Sequence, residues 1–150
     1  MTTLFIDADA CPVTRDALGV ARTHGVRAVL VGNEAQSFGR YSTRGGVEVV
    51  QVPHGRDAAD FAIVERLQPG DVVVTQDTGL AAMALGRGAR PLSPRGRVFS
   101  LATIDAELAL RHEERRHRRA GGRTRGPSAF EEEDRERFVQ ALARMLRAGA

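Results

Sequence analysis

The sequence predicts an α/β fold built on a parallel sheet, and three observations carry that prediction. Short apolar runs rich in branched residues recur along the chain: Leu4-Phe5-Ile6, Ala28-Val29-Leu30-Val31, Val49-Val50-Gln51-Val52 and Val72-Val73-Val74. Each is too short for a helix and too continuous for a strand with one wet face, so each reads as a strand buried on both sides. Stretches with helical spacing separate most of them, and that alternation builds a parallel sheet covered by helices on both faces. The 150 residues suit a single domain, and 42% hydrophobic with 27% charged residues is an ordinary globular balance.

The elements follow in order. The first strand spans about Thr3 to Asp7. Cys11-Pro12 opens a helix to about His24, with proline in the first turn, where its missing N–H costs nothing. Strand two is Arg27 to Gly32. Asn33 to Gly46 has no clear period and reads as a loop with room for a short helix. Strand three is Val47 to Val52, and Pro53-His54-Gly55 turns the chain into a helix starting at Asp57, whose Phe61, Val64 and Leu67 keep helical spacing until Pro69-Gly70. Strand four is Asp71 to Gln76, a helix covers about Leu80 to Arg87, and Ala89 to Leu92 is a short fifth strand before the turn Pro94-Arg95-Gly96. From Leu101 a helix points Ile104 and Leu108 inward, then dissolves into charge at Arg111 to Arg119. Ser128-Ala129-Phe130-Glu131 reads as a capping box, with Phe138, Leu142 and Met145 as the apolar stripe of a last helix. The whole is one domain, 1–150, with a basic, mobile segment at 110–127 and a C-terminal helix at 128–147.

Composition excludes some chemistry. All 22 basic residues are arginine, so any mechanism that needs a lysine is ruled out. The single Cys11 cannot form an internal disulfide, and no stretch has the length or apolarity of a membrane span or a signal peptide. The expectation is a reduced, cytoplasmic protein with no membrane partner. His112 and His117 are five apart, which does not put two zinc ligands on one helical face.

The functional signal lies where strands end. Strand one runs into Asp7 and Asp9, strand three leads to Asp57 and Asp60, and strand four runs into Thr75-Gln76-Asp77. In open α/β sheets ligands bind beyond the carboxyl ends of the strands. Asp7 and Asp9 share one face of an extended chain, and Asp57 and Asp60 are neighbours on a first helical turn. Two such charges about 4 Å apart repel by roughly 4 kcal/mol at an effective dielectric near 20, so a cluster of them calls for protons or a cation. A divalent metal on carboxylates beyond a sheet points to phosphoryl chemistry. Thr75 is placed to orient a carboxylate or a water, Asn33 ends strand two beside the same cleft, and Arg95 is a candidate phosphate clamp. Asp71 reads as a turn residue, and Cys11 as a packed residue or cap.

Asp7-Ala8-Asp9-Ala10-Cys11-Pro12, Gly55-Arg56-Asp57-Ala58-Ala59-Asp60, Gly70-Asp71-Val72-Val73-Val74-Thr75-Gln76-Asp77, Leu80-Ala81, Pro94-Arg95-Gly96 and Gly126-Pro127 resemble the YaiI/YqxD family of bacterial proteins, in order from about residue 3 to residue 146. Gly79 departs from the proline expected of the family there. The resemblance implies a PIN-like domain, related in fold to metal-dependent ribonucleases, with a mainly parallel five-stranded sheet in the order 3-2-1-4-5. Carried over, the acidic positions of such nucleases fall on Asp7, on Asp57 or Asp60, and on Asp77.

Together these readings describe a PIN-like domain that holds Mg²⁺ or Mn²⁺ on Asp7, Asp57, Asp60 and Asp77 and acts on a phosphodiester, with RNA as the expected partner. Asp9 would be a further ligand or would orient the attacking water. Arg115, Arg116, Arg118 and Arg119, in a segment with seven arginines against two glutamates, would contact phosphates. A haloacid-dehalogenase-like phosphatase would also use an Asp-x-Asp strand end, but it wants a lysine and a Ser or Thr where this chain has Asn33. A non-catalytic RNA-binding module is the other alternative.

Overall fold

The computed structural model describes residues 1–9, 11–33, 41, 45–55, 57–123 and 128–148. Five strands, β1 (Thr3–Asp7), β2 (Arg27–Gly32), β3 (Val47–Gln51), β4 (Val72–Val74) and β5 (Arg90–Leu92), form one sheet in the order β3-β2-β1-β4-β5, every neighbouring pair parallel. Among the described residues there are five helices: α1 (Thr14–Thr23), α2 (Ala58–Val64), α3 (Thr78–Gly86), α4 (Ile104–Arg119) and α5 (Glu132–Ala148). The predicted fold class and strand order are thus those observed. None of these helices is long and apolar enough to cross a membrane.

The alternation of side chains along each strand divides the core in two. Leu4 and Ile6, Ala28 and Leu30, and Val72 and Val74 face α1 and α5, where Ala17, Leu18, Phe138 and Leu142 cover them. Phe5, Val29, Val31 and Val73 face the other way, onto Ile63 of α2 and Leu80 and Ala84 of α3. Helices on both faces leave the central strands no wet side, so β4 is three valines with no accessible surface. The helix α4 stands outside these layers and rests on α3 through Phe99, Ile104 and Ala81, with Leu108 half-buried beside them. Asp71, 2% exposed, accepts the backbone N–H groups of Thr3 and Gln68, tying the start of β1 to the turn before β4.

Two local expectations need correction. The chain does not dissolve at Arg111: α4 stays helical to Arg119. Arginine and glutamate are good helix formers, Glu113–Arg116 and Glu114–Arg118 pair at helical spacing, and the basic last turn complements the dipole. Nor is Ser128 the cap of the last helix, which starts at Glu132. The reciprocal contact lies three residues later, where Asp134 accepts the Glu131 N–H at 2.9 Å. That bond, with Arg95 and Arg137 nearby, holds the Asp134 carboxyl below its ordinary value. The loop read at Asn33 to Gly46 and the break at Gly121 to Pro127 fall largely outside the described residues.

The turn Pro94-Arg95-Gly96 is the seat of α5. Gly96 has φ +88°, and a Cβ there would lie 2.7 Å from the backbone carbonyl carbon of Arg137. Arg95 bonds Ser128 and, at 3.2 Å, Asp134, with Phe130 beside its guanidinium.

Candidate active site at the carboxyl edge of the sheet

Parallel strands all end on one side, and here β1, β3 and β4 lead to acids at the same edge, with Asn33 at the end of β2. Register sets the first contact. Ile6 pairs with Val74, so the next residues, Asp7 and Thr75, lie side by side, and the buried Thr75 hydroxyl donates to Asp7 Oδ2 at 3.0 Å. The same oxygen of Thr75 accepts the Asp77 N–H at 3.0 Å. Thr75 therefore orients a carboxylate, as its place in the sequence suggests.

Asp77 caps α3, its Oδ1 accepting the N–H groups of Gly79 at 2.8 Å and Leu80 at 3.3 Å. The Arg111 guanidinium donates to that same oxygen at 2.9 Å from across the cleft. Asp9 turns back toward β2, where its Oδ2 accepts the Asn33 N–H at 2.9 Å. Its Oδ1 is buried and has no hydrogen-bond partner. Only glycine leaves space for this carboxylate, since a Cβ on Gly32 would sit 2.7 Å from Oδ1. Asp57 precedes α2 with left-handed backbone, φ 68° and ψ 5°, and its side chain makes no capping bond. Asp57 thus stands at the head of α2, its backbone carbonyl accepting the Phe61 N–H at 3.0 Å, without its carboxylate serving as the cap.

These carboxylates feel one another. Burial raises the Asp7 carboxyl above its ordinary value, with the Thr75 bond opposing and the charges of Asp77 and Asp9 adding to it. Burial, then the charges of Asp77, Asp7 and Asp57, pushes Asp60 up to about 6, against the pull of Arg111. An Asp raised in this way binds its proton more tightly in the folded state, so its contribution to stability is present below about pH 4 and is lost as pH rises through about 6. Asp60→Asn is accordingly expected to be more stable than the unchanged protein in urea melts near pH 7, the two curves converging below about pH 4. A variant that is less stable near neutral pH would show that the charge on Asp60 is stabilising.

A cleft of about 660 Å³ opens over this cluster, lined on one side by Asp9, Asn33, Asp57, Asp60 and Asp77 and on the other by Arg111, Arg115, Arg118 and Arg119 of α4. The structure does not bring Arg95 or Arg116 to the cleft lining. Arg95 is engaged in holding α5, and Arg116 pairs with Glu113 at 3.1 Å on the exposed side of α4. Arg111 is a cleft residue that the sequence does not single out. Its signal is spacing: residues 111, 115, 118 and 119 fall on one helical face once the helix is continued through them.

As the side chains stand, no three of the His, Cys, Asp and Glu groups among the described residues converge closely enough to enclose a metal ion. The donors are nevertheless those a hydrated Mg²⁺ or Mn²⁺ takes. They are hard carboxylate oxygens, one of them the orphaned Asp9 Oδ1, and such ions keep several waters and bind through one or two carboxylates rather than a closed protein cage. An ion held partly through water is compatible with this donor set; Asp7, Asp57, Asp60 and Asp77 would hold it, with Asp9 as a further ligand.

Residues 5–148 match a family profile described as "Uncharacterized BCR, YaiI/YqxD family". Among curated proteins, a UPF0178 protein of Exiguobacterium sibiricum is 43% identical over 143 residues, 95% of each chain. One of Caulobacter vibrioides is 44% identical over 146 residues, 97% of this chain and 94% of its own, and one of Xanthomonas campestris is 46% identical over 145 residues, 95% and 89%. No solved structure matches this chain at a significant level. The agreement of profile and full-length relatives means that the chain belongs to the YaiI/YqxD family.

Proposed function

We propose that this protein is a cytoplasmic, Mg²⁺- or Mn²⁺-dependent phosphodiesterase of PIN-like type that acts on RNA. The observation that carries the reading is the opposition, across one cleft, of an acidic edge and an arginine face. Each half alone has an ordinary explanation. Together they match a phosphodiester, whose backbone needs cationic side chains for binding and whose cleavage needs charge neutralised at the scissile phosphate. The PIN-like domain implied by the resemblance to the YaiI/YqxD family supports the same reading.

When bound, the ion supplies positive charge at the scissile phosphate and acidifies the attacking water. The protein's own residues divide the remaining work. Thr75 fixes the Asp7 carboxylate, and the Asn33 N–H fixes that of Asp9. Arg115, Arg118 and Arg119 hold the flanking phosphates.

Replacing Arg115, Arg118 and Arg119 together by Gln is expected to weaken RNA binding in all sequences. The log–log salt dependence should flatten by about 0.7 to 0.9 for each phosphate no longer neutralised. Arg116→Gln, outside the cleft lining, should leave both nearly unchanged. Filter binding or anisotropy across a salt series checks this, and an unaltered slope in the triple variant would reduce the arginine face to a solvated surface. One observation favours the non-catalytic RNA-binding alternative: Arg111 already pairs with Asp77. Under that reading RNA affinity persists in chelator, and no cleavage follows when metal is restored.

A further inference from the structure

Beside the cleft lies a second groove of about 480 Å³, and its lining differs in kind. It shares Asp57, Asp60 and Asp77 with the acidic edge and Arg111 and Arg115 with the basic face, yet its floor is Phe61, Met83 and Leu108. Three helices converge there, α2, α3 and α4, each giving one apolar side chain. Phe61 is 65% exposed and Met83 37% exposed, whereas Ile63 on the same short helix is completely buried. Phe61 therefore adds little to the core. The chain has six phenylalanines and no tryptophan, and one of the six is spent on an open surface next to the carboxylate cluster.

We infer that this groove receives an unpaired nucleobase of the substrate strand, the base stacking on Phe61 against Met83 and Leu108 while its phosphate lies toward Arg111 and Arg115. The inference deepens the proposed function and rests on it, because it places a nucleotide next to the bond to be cleaved. The choice of occupant follows from the combination of surfaces. An aromatic face with a thioether and a leucine offers stacking and dispersion to a flat ring, and the arginine rim offers charge to a phosphate. A double helix hides its base faces in its own stack and would present only phosphates to this edge, so the groove selects a single strand or a splayed loop. The groove's volume lies in the ~300–1,000 Å³ range of small-ligand clefts.

The test is anisotropy in EDTA with a short single-stranded RNA and with a duplex of the same length, using the full chain and the variants Phe61→Ala and Phe61→Tyr. Loss of one stacked base should weaken single-strand binding by about 5- to 100-fold in Phe61→Ala, with duplex binding nearly unchanged. Phe61→Tyr, which keeps the ring, should restore single-strand binding. The Mn²⁺-dependent rise in melting temperature should survive in both variants, which also shows that they are folded. Equal losses on single strand and duplex, or no loss on either, would overturn the inference. So would a dimer in sedimentation that Phe61→Ala dissociates, since the patch would then be covered by a second copy. If RNA is cleaved and Phe61→Ala binds and cleaves as before, this inference alone fails. If the unchanged protein neither binds nor cleaves RNA, the proposed function fails and the inference goes with it.

Discussion

Asp7→Asn is expected to leave the fold intact, with a melting temperature equal to or above that of the unchanged protein, and to abolish the response to Mn²⁺. The half-buried Asp7 carboxylate bears the cost of burial together with the charges of Asp77 and Asp9, and asparagine removes all of these. The amide oxygen still accepts the Thr75 hydroxyl, so the packing at the end of β1 is kept. In the unchanged protein an ion that binds only the folded state at about 100 times its Kd stabilises by about 2.7 kcal/mol. For a domain of this size a kcal/mol corresponds to roughly 2–4 °C, so the melting temperature should rise by about 5–11 °C with Mn²⁺. Thermal melts of both proteins across a Mn²⁺ series provide the measurement. An equal rise in the variant would mean that the ion binds elsewhere.

Gly96→Ala should be among the most damaging single substitutions in the chain. The residue adopts φ +88°, and the added methyl would fall within 2.7–2.8 Å of the Arg137 carbonyl and the Phe138 nitrogen. These are backbone atoms of a helix anchored by two fully buried side chains, Phe138 and Leu142, so nothing at the contact can rotate away. Strain of about 1–3 kcal/mol from the backbone and about 1–3 kcal/mol from overpacking give a loss of roughly 2–6 kcal/mol in urea melts. Hydrogen exchange should accelerate first in α5 as it lifts from the β5 turn. Gly19→Ala is the control. It lies inside α1 with nothing within 4 Å of the added methyl and should gain up to ~1 kcal/mol from helix propensity. Similar behaviour of the two variants would refute the view that the Pro94-Arg95-Gly96 turn seats the last helix.

The sheet is legible in the sequence because burial on both faces writes itself there as short branched runs, and Val72-Val73-Val74 can hardly be anything else. Asp7 and Asp77 are legible because they follow such runs closely, Asp57 and Asp60 because one turn links them to strand three, and register then carries Asp7 to Thr75 without further assumption. What escapes is decided by partners distant in sequence. Arg95 looks like a free cation in a turn until Ser128 and, in α5, Asp134, both more than thirty residues on, reach it. The stretch from Arg111 to Arg119 lacks an apolar stripe, yet it is held helical by its own ion pairs and by Arg111 reaching Asp77. Spacing with Val64 and Leu67 marks Phe61 as a core position. The helix ends at Val64, however, and the face carrying Phe61 turns to the groove instead of the sheet.

The central claim, that the acidic edge and the arginine face form one metal-dependent site for RNA, is tested most directly by incubating an end-labelled single-stranded RNA with the protein in Mn²⁺, in EDTA, and with Asp7→Asn in Mn²⁺. The account predicts cleavage in the first reaction and intact RNA in the other two. Intact RNA in all three, or cleavage that persists in EDTA or in the variant, would contradict it.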